Sequence, residues 1–126
     1  MILSAEELLF FAPFPEALPL YQALRNALEE NGWKAEAKVA KTQISLRNRH
    51  VFATASLPWR KRKGLPEVYL MISFGLPYEE RSPRIYQSVE PYPGRWTHHV
   101  PVTQADQVDG RLLAWLGEAY AFAMRK

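Results

Sequence analysis

The hydrophobic period of this chain changes twice, and those changes fix the order of its secondary structure. Up to Gly32, apolar residues recur at helical spacing: Leu18, Tyr21, Leu24 and Leu28. From Trp33 the period is two. Trp33, Ala35, Ala37 and Val39 alternate with Lys34, Glu36 and Lys38, and Ile44 and Leu46 alternate with Gln43, Ser45 and Arg47. Val68, Leu70, Ile72 and Phe74 alternate with Tyr69, Met71 and Ser73, and β character also marks residues 51–57, 84–89 and 95–102. Only then does the helical period return, through Leu112, Leu113, Leu116, Ala119, Tyr120 and Ala123. Nothing between the strands supplies a helix for a parallel crossover, so neighbouring strands pair antiparallel.

Local signals set the boundaries. Ser4 and Glu7 have capping-box spacing, which predicts a helix over 4–11, stopped by Pro13 and Pro15. A second helix is expected over 16–31, with Pro19 tolerated in its first turn and Asn31-Gly32 ending it. Asn48-Arg49 and Pro91-Tyr92-Pro93-Gly94 read as hairpin turns. The expected fold is one α+β domain over 1–126. It has a single curved antiparallel sheet of about five or six strands, with N-terminal and C-terminal helices packed on one face.

Parity divides the sheet. Ile44, Leu46, Val51, Ala53, Ala55, Leu57, Val68, Leu70, Ile72 and Phe74 are expected to meet the helices. Gln43, Ser45, Arg47, Phe52, Thr54, Ser56, Tyr69, Met71 and Ser73 then point away. That second face is too polar for a core and too aromatic for ordinary surface. Either it is a binding platform, or loop 76–83 or a second subunit covers it.

Charge is segregated along the chain. Residues 41–63 hold Lys41, Arg47, Arg49, Arg60, Lys61, Arg62 and Lys63 and no carboxylate, in a protein of formal net charge +3. The remainder is therefore net acidic, and an anionic partner would be drawn to one region. The cluster Arg60-Lys61-Arg62-Lys63 lies between Pro58-Trp59 and Gly64-Leu65-Pro66, at the tip of a loop. It could grip phosphates while Trp59 or Tyr69 stacks a base, or it could serve solubility alone.

The chain has no cysteine, which rules out disulfides, thiolate catalysis and cysteine-held metals. His98 and His99 are adjacent in a strand and face opposite ways, so they do not chelate one metal. No HExxH, GxSxG or glycine-rich phosphate loop occurs, and no cofactor or metal is expected. His98 shares parity with Trp96, which is expected to be buried, and Arg95 with His99. The early charges are acidic and the apolar run at 8–14 is short, so a cytoplasmic protein with no membrane segment is expected.

Four segments together resemble an uncharacterised bacterial family, domain of unknown function 5655. They are Lys41-Thr42-Gln43-Ile44-Ser45-Leu46, Ser73-Phe74-Gly75, Pro93-Gly94-Arg95-Trp96-Thr97-His98-His99-Val100, and Leu112-Leu113-Ala114-Trp115-Leu116 through Ala119-Tyr120. The resemblance implies a compact α+β module and brings no catalytic residue. It marks Lys41, Gln43, Ser45, Arg95 and His98 as positions of interest.

Three functions remain open on sequence grounds. One is a binding module for an anionic ligand or nucleic acid, using Lys41, Gln43, Ser45, Arg47, Tyr69, Arg95 and His98 on the open face. In that reading Trp59, Arg60, Lys61, Arg62 and Lys63 form the loop. Another is an enzyme on a small anionic substrate with His98 or His99 as acid–base. The third is a homodimeric interaction domain joined through the terminal helix.

Overall fold

A computed structural model describes residues 1–125. Three α-helices, α1 (Ala5–Phe10), α2 (Leu18–Glu30) and α3 (Gly110–Met124), flank six strands. The strands are β1 (Glu36–Val39), β2 (Gln43–Arg47), β3 (Val51–Ser56), β4 (Leu70–Leu76), β5 (Gln87–Tyr92) and β6 (Arg95–Val102). Every pairing is antiparallel, in the order β1-β2-β3-β4-β6-β5. The α+β architecture expected from the period changes is the one observed.

The capping box closes in both directions: Ser4 Oγ accepts from the Glu7 N–H at 3.2 Å, and the Ser4 N–H donates to Glu7 Oε1 at 2.9 Å. Glu7 does more than cap. It is buried, accepts a short hydrogen bond from the Tyr21 hydroxyl, and lies 3.4 Å from Arg25 Nε. Arg25, also buried, donates to the Ala35 carbonyl at 3.1 Å. This polar bridge joins α1, α2 and the lead-in to β1. Burial alone would raise the Glu7 pKa, but the Ser4 N–H, the Tyr21 hydroxyl and Arg25 outweigh it and hold the carboxyl low.

The core lies between the helices and one sheet face. Ile44, Leu46, Ala55, Leu70, Ile72, Phe74, Val100 and Val102 pack with Leu24, Leu28, Leu112, Leu116 and Ala119. Trp115 is buried in α3 and stacks on Phe74, with ring centroids 5.9 Å apart. None of the large exposed apolar residues belongs to α3. Leu113, Tyr120, Phe122 and Met124 of that helix are half-buried.

Three expectations need correction. Phe52 was expected to point away from the helices and Val51 toward them. The register slips at Leu46/Arg47, where Leu46 pairs with Ala53 but Arg47 pairs with Val51. The extra residue turns Phe52 to the helix side, where it meets Tyr120 edge-on at 5.1 Å, and leaves Val51 exposed. Second, the alternation from Trp33 does not start a strand there, because β1 begins at Glu36. Trp33 instead stacks on Tyr120 and lies against Gly117, where a Cβ would stand 2.8 Å from the indole. Trp96, expected to be buried, is half-buried.

The β5–β6 hairpin turns at Pro93-Gly94, with Gly94 at φ +75°. β6 rather than β5 lies beside β4, so residues 77–86 cross from β4 to the sheet edge. They cross on the helix side. The Glu80 N–H donates to His98 Nε2 at 2.9 Å, and the Tyr78 hydroxyl donates to Glu118 on α3 at 2.7 Å. Arg84 pairs with Asp109, the N-cap of α3. The loop at 76–83 therefore does not cover the opposite sheet face.

Candidate functional site

The face away from the helices is built by register. Lys38, Ser45, Thr54, Ser73, His99 and Gln87 pair in succession across all six strands. The neighbouring row is Gln43, Ser56, Met71 and Pro101. On the other side Gly75, Thr97 and Val89 follow one another. From β2 to β6 these rows hold hydroxyls, amides and an imidazole but no carboxylate.

Residues 57–69 return over one end of this face. Tyr69 and Met71, which point to it, are buried without joining the main core. The Tyr86 hydroxyl donates to the Lys63 carbonyl at 2.9 Å and ties the loop toward β5. Trp59 leans the other way. Its ring meets Phe10 and Phe14 edge-on, and its N–H donates to the Thr42 carbonyl at 2.7 Å.

Two clefts flank the polar row. One, of about 280 Å³, is lined by Thr42, Gln43, Ser56, Trp59, Arg60 and Arg62. The other, of about 270 Å³, opens where β3 parts from β4 beyond Ala53 and Phe74. Thr54, Ser73, Gly75, Arg95 and Thr97 line it from the sheet, and Ala119, Phe122 and Ala123 of α3 line it from the helix side through the gap. The Arg95 guanidinium lies 5.9 Å from the Phe122 ring centroid.

Between the clefts, Ser73 Oγ is 2.6 Å from His99 Nδ1. Burial holds His99 below its ordinary pKa of 6.5, and the charge of Arg62 lowers it further. His98 is fully buried on the other face, stacked on Phe74 with centroids 5.3 Å apart. Burial depresses it too, against the opposing pull of the Phe74 backbone and of Glu80 and Glu79.

The structure thus sorts the positions chosen from sequence. Gln43, Trp59, Arg60 and Arg62 share one cleft, Arg95 lines the other, and Ser45 sits in the row between strands. Lys41, Lys61 and Lys63 are exposed, and Arg47 is exposed with its guanidinium 3.4 Å from the Arg49 carbonyl. Tyr69 is buried and presents no ring for stacking, and Trp59 is engaged by Phe10 and Phe14. His98 is separated from the other positions by the sheet itself and anchors the 77–86 crossing. Sequence parity put His99 on the same side of its strand as Arg95 without a partner, and only the register sets it opposite Ser73.

Ion pairing follows the same division. Arg25, Arg81, Arg84 and Arg111 each meet a carboxylate. Among the described residues, none of the seven cations in 41–63 does, nor does Arg95. No group of three His, Asp or Glu residues able to hold a metal occurs among the described residues. No helix among the described residues is long and apolar enough to cross a membrane.

A family model described as domain of unknown function (DUF5655) matches residues 10–123, and the chain belongs to that family. Comparison with curated proteins and with solved structures finds no match.

Proposed function

We propose that this member of the domain of unknown function (DUF5655) family binds an anionic ligand on the polar sheet face beside its basic loop. The observation behind the reading is the absence of carboxylate partners for Lys41, Arg47, Arg49, Arg60, Lys61, Arg62 and Lys63 among the described residues. A cation without an internal partner keeps its full attraction for an external one. Gln43, Ser56 and Thr42 beside Arg60 and Arg62 add groups able to bond phosphate or carboxylate oxygens. The engagement of Trp59 and burial of Tyr69 favour charge recognition over base stacking. A phosphate backbone or a smaller phosphorylated compound both suit that chemistry.

The test is fluorescence anisotropy with a labelled single-stranded oligonucleotide at several salt concentrations. Each phosphate contact on a single strand contributes about −0.7 to the slope of log K against log salt, so four contacts predict about −3. Replacing Arg60, Lys61, Arg62 and Lys63 by Ala should abolish that slope while thermal unfolding stays within about 1 kcal/mol, because exposed loop positions contribute little to the core. Equal binding by the four-Ala variant, or none by the intact protein at low salt, would refute the reading.

A further inference from the structure

We infer that Ser73 and His99 form a nucleophile–base pair able to hydrolyse small carboxylic esters in the cleft between β3 and β4. Three features support this independently of the basic loop. Ser73 Oγ and His99 Nδ1 are 2.6 Å apart, the separation at which an imidazole takes a hydroxyl proton. Ser73 lines a cleft of about 270 Å³, room for a short acyl group. The gap beyond Ala53 and Phe74 opens the cleft to an apolar wall of Val51 and of Ala119 and Phe122 on α3 for that group, and Arg95, over the Phe122 ring and with no carboxylate partner among the described residues, is the cation there for a developing oxyanion.

The chemistry balances as an acyl transfer to water. Ser73 Oγ forms a bond to the ester carbonyl carbon, and its proton passes to His99 Nδ1. Collapse of the tetrahedral adduct breaks the carbon–oxygen bond to the alcohol, which leaves with that proton. Water then adds to the acyl-serine and gives a proton to His99 Nδ1; the bond from the acyl carbon to Ser73 Oγ breaks, that proton passes to Ser73 Oγ, and the carboxylic acid leaves. Burial and Arg62 keep His99 neutral near pH 7, the state a general base requires.

The chain has no cysteine, which allows a direct test. In Ser73→Cys the only thiol sits beside His99. Iodoacetamide should alkylate it about tenfold faster at pH 7 than it alkylates Ser73→Cys/His99→Gln, since a neighbouring imidazole promotes the thiolate. A hydrogen bond that is merely structural would leave the two rates alike. The unmodified protein should react with a fluorophosphonate probe, with the adduct found on the Ser73 peptide, and should hydrolyse p-nitrophenyl acetate in a Ser73-dependent way. Absence of a Ser73 adduct on the intact, folded protein overturns the inference without any variant, as do equal alkylation rates. A variant with Arg60, Lys61 and Lys63 replaced by Ala, which keeps Arg62 near His99, should still be labelled at Ser73, so loss of anion binding and loss of this reactivity are separable results.

Discussion

Ser73 Oγ lies 2.6 Å from His99 Nδ1 on one face of the sheet, while the next residue along each strand, Phe74 and His98, stacks on the other. Two adjacent histidines thereby report on opposite environments. An anion bound to the polar face should shift the His99 ring resonances and leave those of His98 in place. Nuclear magnetic resonance titration with inorganic phosphate and with an oligonucleotide measures both at once. Equal shifts at the two rings would contradict a ligand confined to that face.

Stability should fall with acid in a window set by these rings. Both folded-state pKa values lie below the ordinary 6.5, mainly through burial. The unfolded chain then binds protons that the folded chain refuses, so stability is constant above about pH 7 and declines as pH drops below about 6.5. Urea unfolding at pH 7.5 and pH 5.2 tests this above the range where Glu7 titrates. His98→Asn should flatten the decline, although its loss of contacts lowers stability at every pH.

The Glu7–Arg25 pair is buried at both ends. Glu7→Ala leaves the Arg25 guanidinium without its counter-charge and should cost about 3 kcal/mol. Tyr21→Phe removes one hydrogen bond to Glu7 and should cost about 1–2 kcal/mol. Denaturant midpoints rank the two, and a Glu7→Ala protein as stable as the parent would show that the pair contributes nothing net.

Gly117 offers a sign change. An Ala in a helix interior ordinarily gains about 1 kcal/mol over Gly. Here the added Cβ would stand 2.8 Å and 3.0 Å from two carbons of the Trp33 indole. Gly117→Ala should therefore destabilise by about 1–2 kcal/mol, and in a Trp33→Ala background the same change should stabilise.

The bulge between β2 and β3 makes unlike neighbours of Val51 and Phe52. Phe52→Ala should cost about 3–4 kcal/mol by emptying a site against Tyr120, whereas Val51→Ala should stay within about 0.5 kcal/mol. Comparable losses from the two variants would mean that the regular alternation, with Val51 inward, is the right one.

What the sequence by itself determined is what depends on neighbours along the chain. The change of period at Gly32 and its return before Leu112 set helix, strand and helix, because side-chain direction repeats locally. The Ser4–Glu7 cap and the Pro93-Gly94 turn were legible for the same reason, as was the separation of Arg95 from His98. The tertiary structure decided whatever depends on pairing between distant strands. A single extra residue opposite Leu46/Arg47 reverses Phe52, since alternation carries no information about its partner's count. The insertion of β6 between β4 and β5 made Ser73 and His99 opposite residues, and no local pattern specifies which strands become neighbours. Glu7 read from sequence only as half of a capping box and nothing marked Arg25, until folding buried them together. The basic character of residues 41–63 was plain in the sequence, but only the folded chain could leave all seven cations without a carboxylate among the described residues, because ion pairs form between parts the chain brings together in space.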